Sequence, residues 1–227
     1  MKYGILSPNR SINAAIYSCL SCVRQSDAEV VVRKLKSQAE DHIQVMHTFR
    51  ELLVGAYLAD SGRRVAYEAS HAGARPDWTL CDETGDVSAI VEITNFHTPR
   101  TVESEIVATL ERGAIYCDWS PDPTERLYQS IQKKIDRYHS LVMSLSCPYI
   151  VAVYTDFRAA IEPEEVYDVL HTAYGGGIFS YSESISGVLW FEEDGSRYRF
   201  GYCTNDSARY SVDIPSGVLS LIADGAV

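Results

Sequence analysis

Two carboxylates, Asp77 and Glu92, are the residues whose types and spacing most clearly suggest chemistry. Asp77 directly follows Pro76 at the start of a short apolar run, and Glu92 stands alone inside the strand-like run 89–96. If the two runs pair as a hairpin, the side chains converge at one end of a sheet. Two carboxylates held together are costly unless a cation lies between them. The pattern therefore predicts a metal site, and the alternative is an edge-strand Glu92 that points to water.

Two further charged residues fall where helical periodicity predicts burial. Glu51 lies in the nearly apolar segment 49–59, so we expect a part-buried carboxylate with a metal or another partner; an ordinary salt bridge is the alternative. Lys134 falls within the apolar stripe of a helix predicted over 124–145. A lysine there must either snorkel to solvent or pair with a buried carboxylate. We expect the two hairpin carboxylates to be its partners.

The elements that must position these residues alternate between helices and strands. This alternation predicts an α/β fold of three layers, with helices flanking a mixed central sheet. The length suits one sizeable domain, expected over 41–227, with an N-terminal helical extension over 1–40. Helices are predicted over 11–24, 27–60 (with a break near Asp41), 102–112, 124–145 and 162–174, strands over 63–70, 79–81, 88–93, 149–154, 186–191 and 197–203, and an irregular C-terminal tail after them.

Composition restricts the classes of protein to which the chain can belong. Its 227 residues are 46% hydrophobic, which is typical of a globular protein, and no apolar run could span a membrane. The first residues lack the pattern of a secretory signal, so a cytoplasmic protein without a membrane partner is expected. The net charge of −11 argues against a protein that coats nucleic acid.

If a polyanion does bind, the N-terminal helices are the favoured surface at the level of sequence. Residues 1–60 carry seven Lys and Arg against six Asp and Glu, whereas residues 61–120 carry five against ten. A solvated helix face is the alternative interpretation of the basic residues Arg24, Arg33, Lys34 and Lys36.

The cysteines do not indicate a zinc or redox site. Cys19 and Cys22 form a single close pair, and no second pair follows to complete the four ligands of a structural zinc site. We expect the remaining cysteines, at positions 81, 117, 147 and 203, to be buried free thiols.

Together these motifs resemble the PD-(D/E)xK, or restriction-endonuclease-like, superfamily. The resemblance covers roughly residues 41–155 and is carried by Glu51, Pro76-Asp77, Glu92-Ile-Thr94 and the helix that contains Lys134 and Tyr138. Each motif alone is weak, and their order and spacing together are the specific signal. The resemblance implies a three-layer restriction-endonuclease-like core with a mixed sheet, preceded here by the N-terminal helical extension.

The resemblance also implies a metal centre. Asp77 matches the main metal ligand, Glu92 the second ligand, and Glu51 the helical acidic residue that helps to hold the metal. The carbonyl of Ile93 often completes such a site. Mg²⁺ or Mn²⁺ is the implied cofactor, since these ions prefer carboxylate, carbonyl and water oxygens.

One position departs from the family pattern. Thr94 stands where the family places its catalytic lysine, and some members supply that lysine from the following helix, which would be Lys134 here. Tyr138 matches the tyrosine of the helix motif in exonuclease-like members and is expected to contact substrate. Thr94 and Asn95 could hydrogen-bond a substrate, with capping of the strand end as the alternative.

The implied function is a metal-dependent nuclease that acts on DNA, with RNA as the less favoured substrate, in defence or mobile-element biology. Many enzymes of this fold act as dimers, so a homodimer is a further expectation. The alternative function, favoured by Thr94 and by the acidic charge, is a catalytically inactive binding or scaffolding module. A toxin or immunity-type interaction protein is a third, weaker reading.

Overall fold

One mixed sheet organises the molecule. The computed structural model describes residues 2–94, 109, 112, 123–155, 161, 163–195 and 197–221. Within them, seven strands form a sheet whose spatial order follows the sequence: β1 Arg64–Tyr67, β2 Trp78–Cys81, β3 Val87–Thr94, β4 Tyr149–Tyr154, β5 Gly187–Asp194, β6 Arg197–Thr204 and β7 Gly217–Ser220. The helices of the described part are α1 Arg10–Cys22, α2 Gln25–Ser37, α3 His42–Asp60, α4 Pro123–Leu145, α5 Pro163–His171 and α6 Ala173–Tyr181.

Strand directions follow from the lengths of the connections. The central strands β3, β4 and β5 are parallel, whereas the outer pairs are antiparallel. Parallel neighbours need crossover connections, and these contain α4 between β3 and β4, and α5 and α6 between β4 and β5. Every residue of β4 is buried, as the continuous apolar run of a central strand predicts.

Helices cover both faces of the sheet, which confirms the predicted three-layer α/β fold. On one face, α1, α2 and α3 bury residues such as Ile16, Leu35 and Phe49 against Trp78 and Val91 of the sheet. On the other face, α4, α5 and α6 form a second core with the opposite side of the strands. Side chains along β3 alternate between these cores. The sheet therefore presents one set of residues to each helical layer.

The N-terminal helices begin and end close to their predicted bounds. A turn at 38–40 separates α2 from α3, and the side chain of Asp41 accepts hydrogen bonds from the first backbone N–H groups of α3. This turn lies at the predicted boundary of the helical extension, although α1 and α2 share one hydrophobic core with the sheet. A separate extension over 1–40 stays a prediction.

Asn9 caps α1, because its side chain accepts hydrogen bonds from the N–H groups of Ser11 and Ile12. One local prediction was wrong. The C-terminal tail is not wholly irregular, because Gly217–Ser220 pairs with β6 as the short edge strand β7. A four-residue strand that contains one buried side chain has little periodic signal in sequence.

Two findings bear on the class of protein. Across the described residues, no helix combines the length and the hydropathy needed to cross a bilayer. The five described cysteines are free thiols; Cys19 and Cys147 are buried, whereas Cys81 and Cys203, which were expected to be buried, are only partly buried. Cys117 lies outside the described residues.

Candidate functional site

Asp77 and Glu92 meet at one end of the sheet and are locked together through the backbone. The antiparallel register places Trp78 opposite Val91, so Asp77 lies opposite Glu92 just before β2 begins. The Asp77 backbone N–H donates to Glu92 Oε1 at 3.1 Å, and the Ile93 N–H donates to Asp77 Oδ2 at 2.7 Å. The hairpin that the sequence predicted therefore brings the two carboxylates to the same sheet end.

Lys134 reaches this pair from the helix layer on the second face. Its ammonium lies 2.6 Å from Glu92 Oε2. The Glu92 side chain is only 2% exposed, and the charge of the Lys134 ammonium offsets part of the cost of burying this carboxylate. Lys134 takes this position because Leu127, Ile131 and Ile135 of α4 are buried against the sheet and turn this side of the helix inward.

Tyr138, one turn after Lys134, borders the same corner. Its hydroxyl lies 3.4 Å from the carbonyl oxygen of Arg75, and its ring stacks on that of Tyr149 at 5.8 Å between centroids. Burial, and next a hydrogen bond to Glu92, raise the pKa of Tyr138. The tyrosine is therefore a neutral hydrogen-bonding group beside the carboxylates.

Glu51 approaches from the opposite helix layer and forms a salt bridge, which was the alternative left open by the sequence, with a lysine that the sequence did not identify. Its carboxylate lies 2.8 Å from Lys34 Nζ and accepts a hydrogen bond from the Tyr67 hydroxyl. Lys34 also contacts the carboxylate of Glu68 at 2.7 Å. In the sequence, Lys34 was assigned only to a basic helix surface. Nothing in the local sequence distinguishes it from the exposed Arg33 beside it, so its inward position had no sequence signal.

Asp77 lies between these two lysine–carboxylate pairs. Burial, followed by the charges of Glu92 and Glu51, raises the pKa of Asp77 to about 7, while the Ile93 N–H and Lys134 oppose the rise. The network has more carboxylates than ammonium groups, so two negative charges stay uncompensated when all of its groups are ionised. The carboxylates are those of Glu51, Glu68, Asp77 and Glu92, and the ammonium groups are those of Lys34 and Lys134.

A buried hydroxyl without a hydrogen-bond partner among the described residues lies near the acidic centre formed by Asp77 and Glu92. The Tyr149 OH is buried and has no hydrogen-bond partner among the described residues. Burial, and next the charge of Glu92, raise the pKa of Tyr149, so the hydroxyl is a neutral donor near that carboxylate. An unpaired buried hydroxyl of this kind suits a water molecule or a ligand oxygen.

The donor chemistry of this site fits a hard divalent cation, although the cluster of donors is small. Within the described ranges, no group of three or more His, Cys, Asp or Glu residues is arranged to hold a metal ion. Mg²⁺ is commonly held by one or two carboxylates and completes its shell with waters and substrate phosphates. Asp77 and Glu92 can supply such a pair, and an ion between them would offset the excess negative charge.

Two of the remaining predicted residues, Ile93 and Thr94, lie at the end of β3. The Ile93 side chain is buried in the core shared with α1, α2 and α3, while its backbone N–H binds Asp77. Thr94 is 6% exposed at the last position of the strand. Asn95 lies outside the described residues.

Comparison of the chain with models of protein families, with curated proteins and with solved structures found no match in any of the three. The relation to the PD-(D/E)xK superfamily stays a prediction based on the residues of this chain.

Proposed function

We propose that this protein is a metal-dependent nuclease of the PD-(D/E)xK type, which hydrolyses phosphodiester bonds in DNA, with RNA as the less favoured substrate. One arrangement supports the proposal above all others. The Lys134 ammonium lies 2.6 Å from Glu92, and the same carboxylate accepts a hydrogen bond from the backbone of Asp77. In this proposal, Lys134 of the following helix takes the role of the lysine that the strand lacks at Thr94.

The proposal gives each residue a distinct task. Asp77 and Glu92 would hold Mg²⁺ or Mn²⁺ together with the carbonyl of Ile93, and Glu51 would support them from the other helix layer. When bound, the ion polarises the scissile phosphate and lowers the pKa of a bound water. The Lys134 ammonium orients the attacking water and stabilises negative charge that develops on the phosphate. Its buried partner Glu92 holds it in place.

Wider aspects of the proposal come from the resemblance. A cytoplasmic location, DNA as the partner and a homodimeric state belong to it, as does a role in defence or mobile-element biology. The two uncompensated negative charges at this sheet end would weaken the approach of a duplex without preventing its binding at basic residues nearby, and a bound cation would offset them.

A second function, a catalytically inactive binding or scaffolding module, is favoured by the partners of Glu92. Both of its carboxylate oxygens already accept hydrogen bonds from protein groups, Oε1 from the Asp77 backbone and Oε2 from Lys134. A metal must therefore share or replace these contacts. In this reading the ion pair stabilises the sheet end, and nucleic acid or protein would bind without being cleaved.

Cleavage assays with supercoiled plasmid, linear duplex and RNA, in Mg²⁺, Mn²⁺ or EDTA, separate the two functions. The wild-type protein should cleave DNA only with a metal. Asp77→Asn should remove activity, and Lys134→Ala should lower kcat by about 10²–10³-fold because one charge-stabilising group is lost. Matched controls are Asp206→Asn and Lys36→Ala, both exposed and outside the site, which should retain wild-type rates.

The outcomes are distinct. Cleavage that survives Asp77→Asn would remove the site assignment and indicate a contaminating nuclease. Absence of cleavage by wild-type protein on all three substrates, with either metal, would favour the inactive module.

A further inference from the structure

The charges on α4 are segregated around the helix. At about 100° per residue, Lys133 and Arg137 lie within about 20° of Arg126 on the helix circumference. We call Lys133 and Arg137, the two exposed residues of this group, the basic stripe. The acidic residues Glu125 and Asp136 lie about 80–100° to one side of Arg126. Lys134 lies about 80° to the other side, where the helix turns toward the sheet. The stripe therefore borders the side of α4 that enters the candidate site.

The basic stripe is accessible and ends beside the site. Lys133 and Arg137 are exposed, and no ion pair with another residue in the described part of the chain holds either of them. The Arg137 guanidinium lies 5.4 Å from the centre of the Tyr138 ring. The Tyr138 hydroxyl in turn lies 3.4 Å from the backbone carbonyl oxygen of Arg75, a residue that is exposed. Arg75 comes two residues before Asp77, so cations lie at the margin of the acidic centre.

In the N-terminal helices, which the sequence favoured as a polyanion surface, two of the four basic residues named above are engaged in ion pairs. Lys34 is engaged by Glu51 and Glu68, and Arg24 lies 2.9 Å from Asp27. Arg33 and Lys36 are exposed there. They provide a surface of comparable charge on the opposite helix layer, away from Lys134.

From this geometry we propose that the basic stripe binds the phosphate backbone of duplex DNA and guides it to the sheet end that holds Asp77 and Glu92. The inference rests on the proposed nuclease function and adds the place where the substrate lies. Lys133 and Arg137 are four residues apart, which is about 6 Å along a helix. One DNA strand presents about two phosphates over that length, at about 3.4 Å each along the helix axis. The two side chains are thus spaced to contact neighbouring phosphates of one strand.

The test is equilibrium binding of a fluorescently labelled DNA duplex to the full chain in EDTA, which excludes metal-dependent cleavage. The double variant Lys133→Gln/Arg137→Gln should raise Kd by about 10–100-fold near 0.1 M salt and reduce the slope of log K against log salt by about two, since two phosphate contacts are lost. The matched control Arg33→Gln/Lys36→Gln removes the same two charges from the opposite layer and should change Kd less than about twofold if it makes no phosphate contact.

A charge-preserving variant, Lys133→Arg/Arg137→Lys, tests whether charge or side-chain packing matters, and it should retain wild-type affinity. Thermal unfolding of each variant shows whether the neutral substitutions leave the fold intact. Equal losses in the stripe and control variants, loss in the charge-preserving variant, or no duplex binding by wild-type protein would each overturn the inference.

Parallel cleavage assays in Mg²⁺ separate this inference from the nuclease proposal. Weakened binding in the stripe variant, together with no cleavage by any protein, would refute the nuclease and leave the stripe as a DNA-binding surface. Cleavage by wild-type protein with unchanged binding in the stripe variant would refute the stripe alone.

Discussion

Replacement of Asp77 by Asn should stabilise the metal-free protein. The Asp77 carboxylate is placed near Glu92 and Glu51, and burial and these charges raise its pKa to about 7 from 3.8. Asparagine removes the charge, and its side-chain oxygen can still accept the hydrogen bond that the Ile93 N–H donates. Asp77→Asn thus isolates the electrostatic cost of the site from its hydrogen bonding.

The magnitude follows from the pKa. A carboxyl whose pKa rises from 3.8 to about 7 disfavours its ionised form in the folded protein by about 4 kcal/mol at pH 8. Asp77 keeps partial contact with solvent, which screens its neighbours, so we expect about 1–2 kcal/mol of this to be recovered. For a protein of this size, that gain raises Tm by about 2–8 °C.

The sign of the pH dependence is fixed by the raised pKa. Below pH 3.8, Asp77 is protonated in both the folded and the unfolded chain, and its effect on stability is absent. As the pH rises to about 7, the unfolded chain releases this proton more readily than the folded one, and the wild-type protein loses stability. The gain from Asp77→Asn should therefore grow between pH 4 and pH 7 and become constant above about 8.

The assay is thermal and urea unfolding in EDTA across this pH range, with Asp206→Asn as a control at an exposed carboxylate. A variant no more stable than wild type at pH 8 would refute the claim that Asp77 is electrostatically strained. A gain that is equally large at pH 4 would show that its source is not the ionisation of Asp77.

Three further predictions concern the surroundings of the site. Lys34→Met should lower the free energy of unfolding by about 1–2 kcal/mol in urea titrations, because the buried Glu51 loses its cation; no change would mean that the ion pair is energetically neutral. Gly55→Ala should destabilise by about 2 kcal/mol in the same assay, because a Cβ there would lie 2.0 Å from Trp78 Cζ2 and overpack a buried ring; wild-type stability would contradict this packing. Tyr149→Phe should leave Tm within about 2 °C of wild type, because the hydroxyl it removes has no partner in the described protein; a clear fall in Tm would reveal a stabilising hydrogen bond.

Sequence patterns predicted the half of the site that depends on local periodicity. Glu92 interrupts a buried strand, and Lys134 interrupts the apolar stripe of α4, so each was conspicuous within its own element. The pairing of the two follows because a crossover helix packs back on the strand that precedes it. The 2.6 Å contact between Lys134 and Glu92 therefore follows from patterns within each element and from the packing of α4 on β3.

The other half could not be predicted in the same way. Lys34 lies in an amphipathic helix among other basic residues, and nothing in its local sequence distinguishes it from its exposed neighbour Arg33. Its contact with Glu51 spans 17 residues and depends on how α2 packs against α3. Glu68 reaches Lys34 from a backbone conformation with φ of 46°, just after β1. Tertiary packing, not local pattern, sets this part of the network.

Each helix layer supplies one lysine to the site, so the carboxylates gain all their counterions only when both layers have folded onto the sheet. Lys34 compensates Glu51 from one face of the sheet, and Lys134 compensates Glu92 from the other. A partly folded chain with only one layer docked would leave one of these carboxylates without its counterion. The charges around Asp77 therefore reach their final arrangement only in the fully folded protein. Any activity that depends on them requires both helix layers to be packed on the sheet.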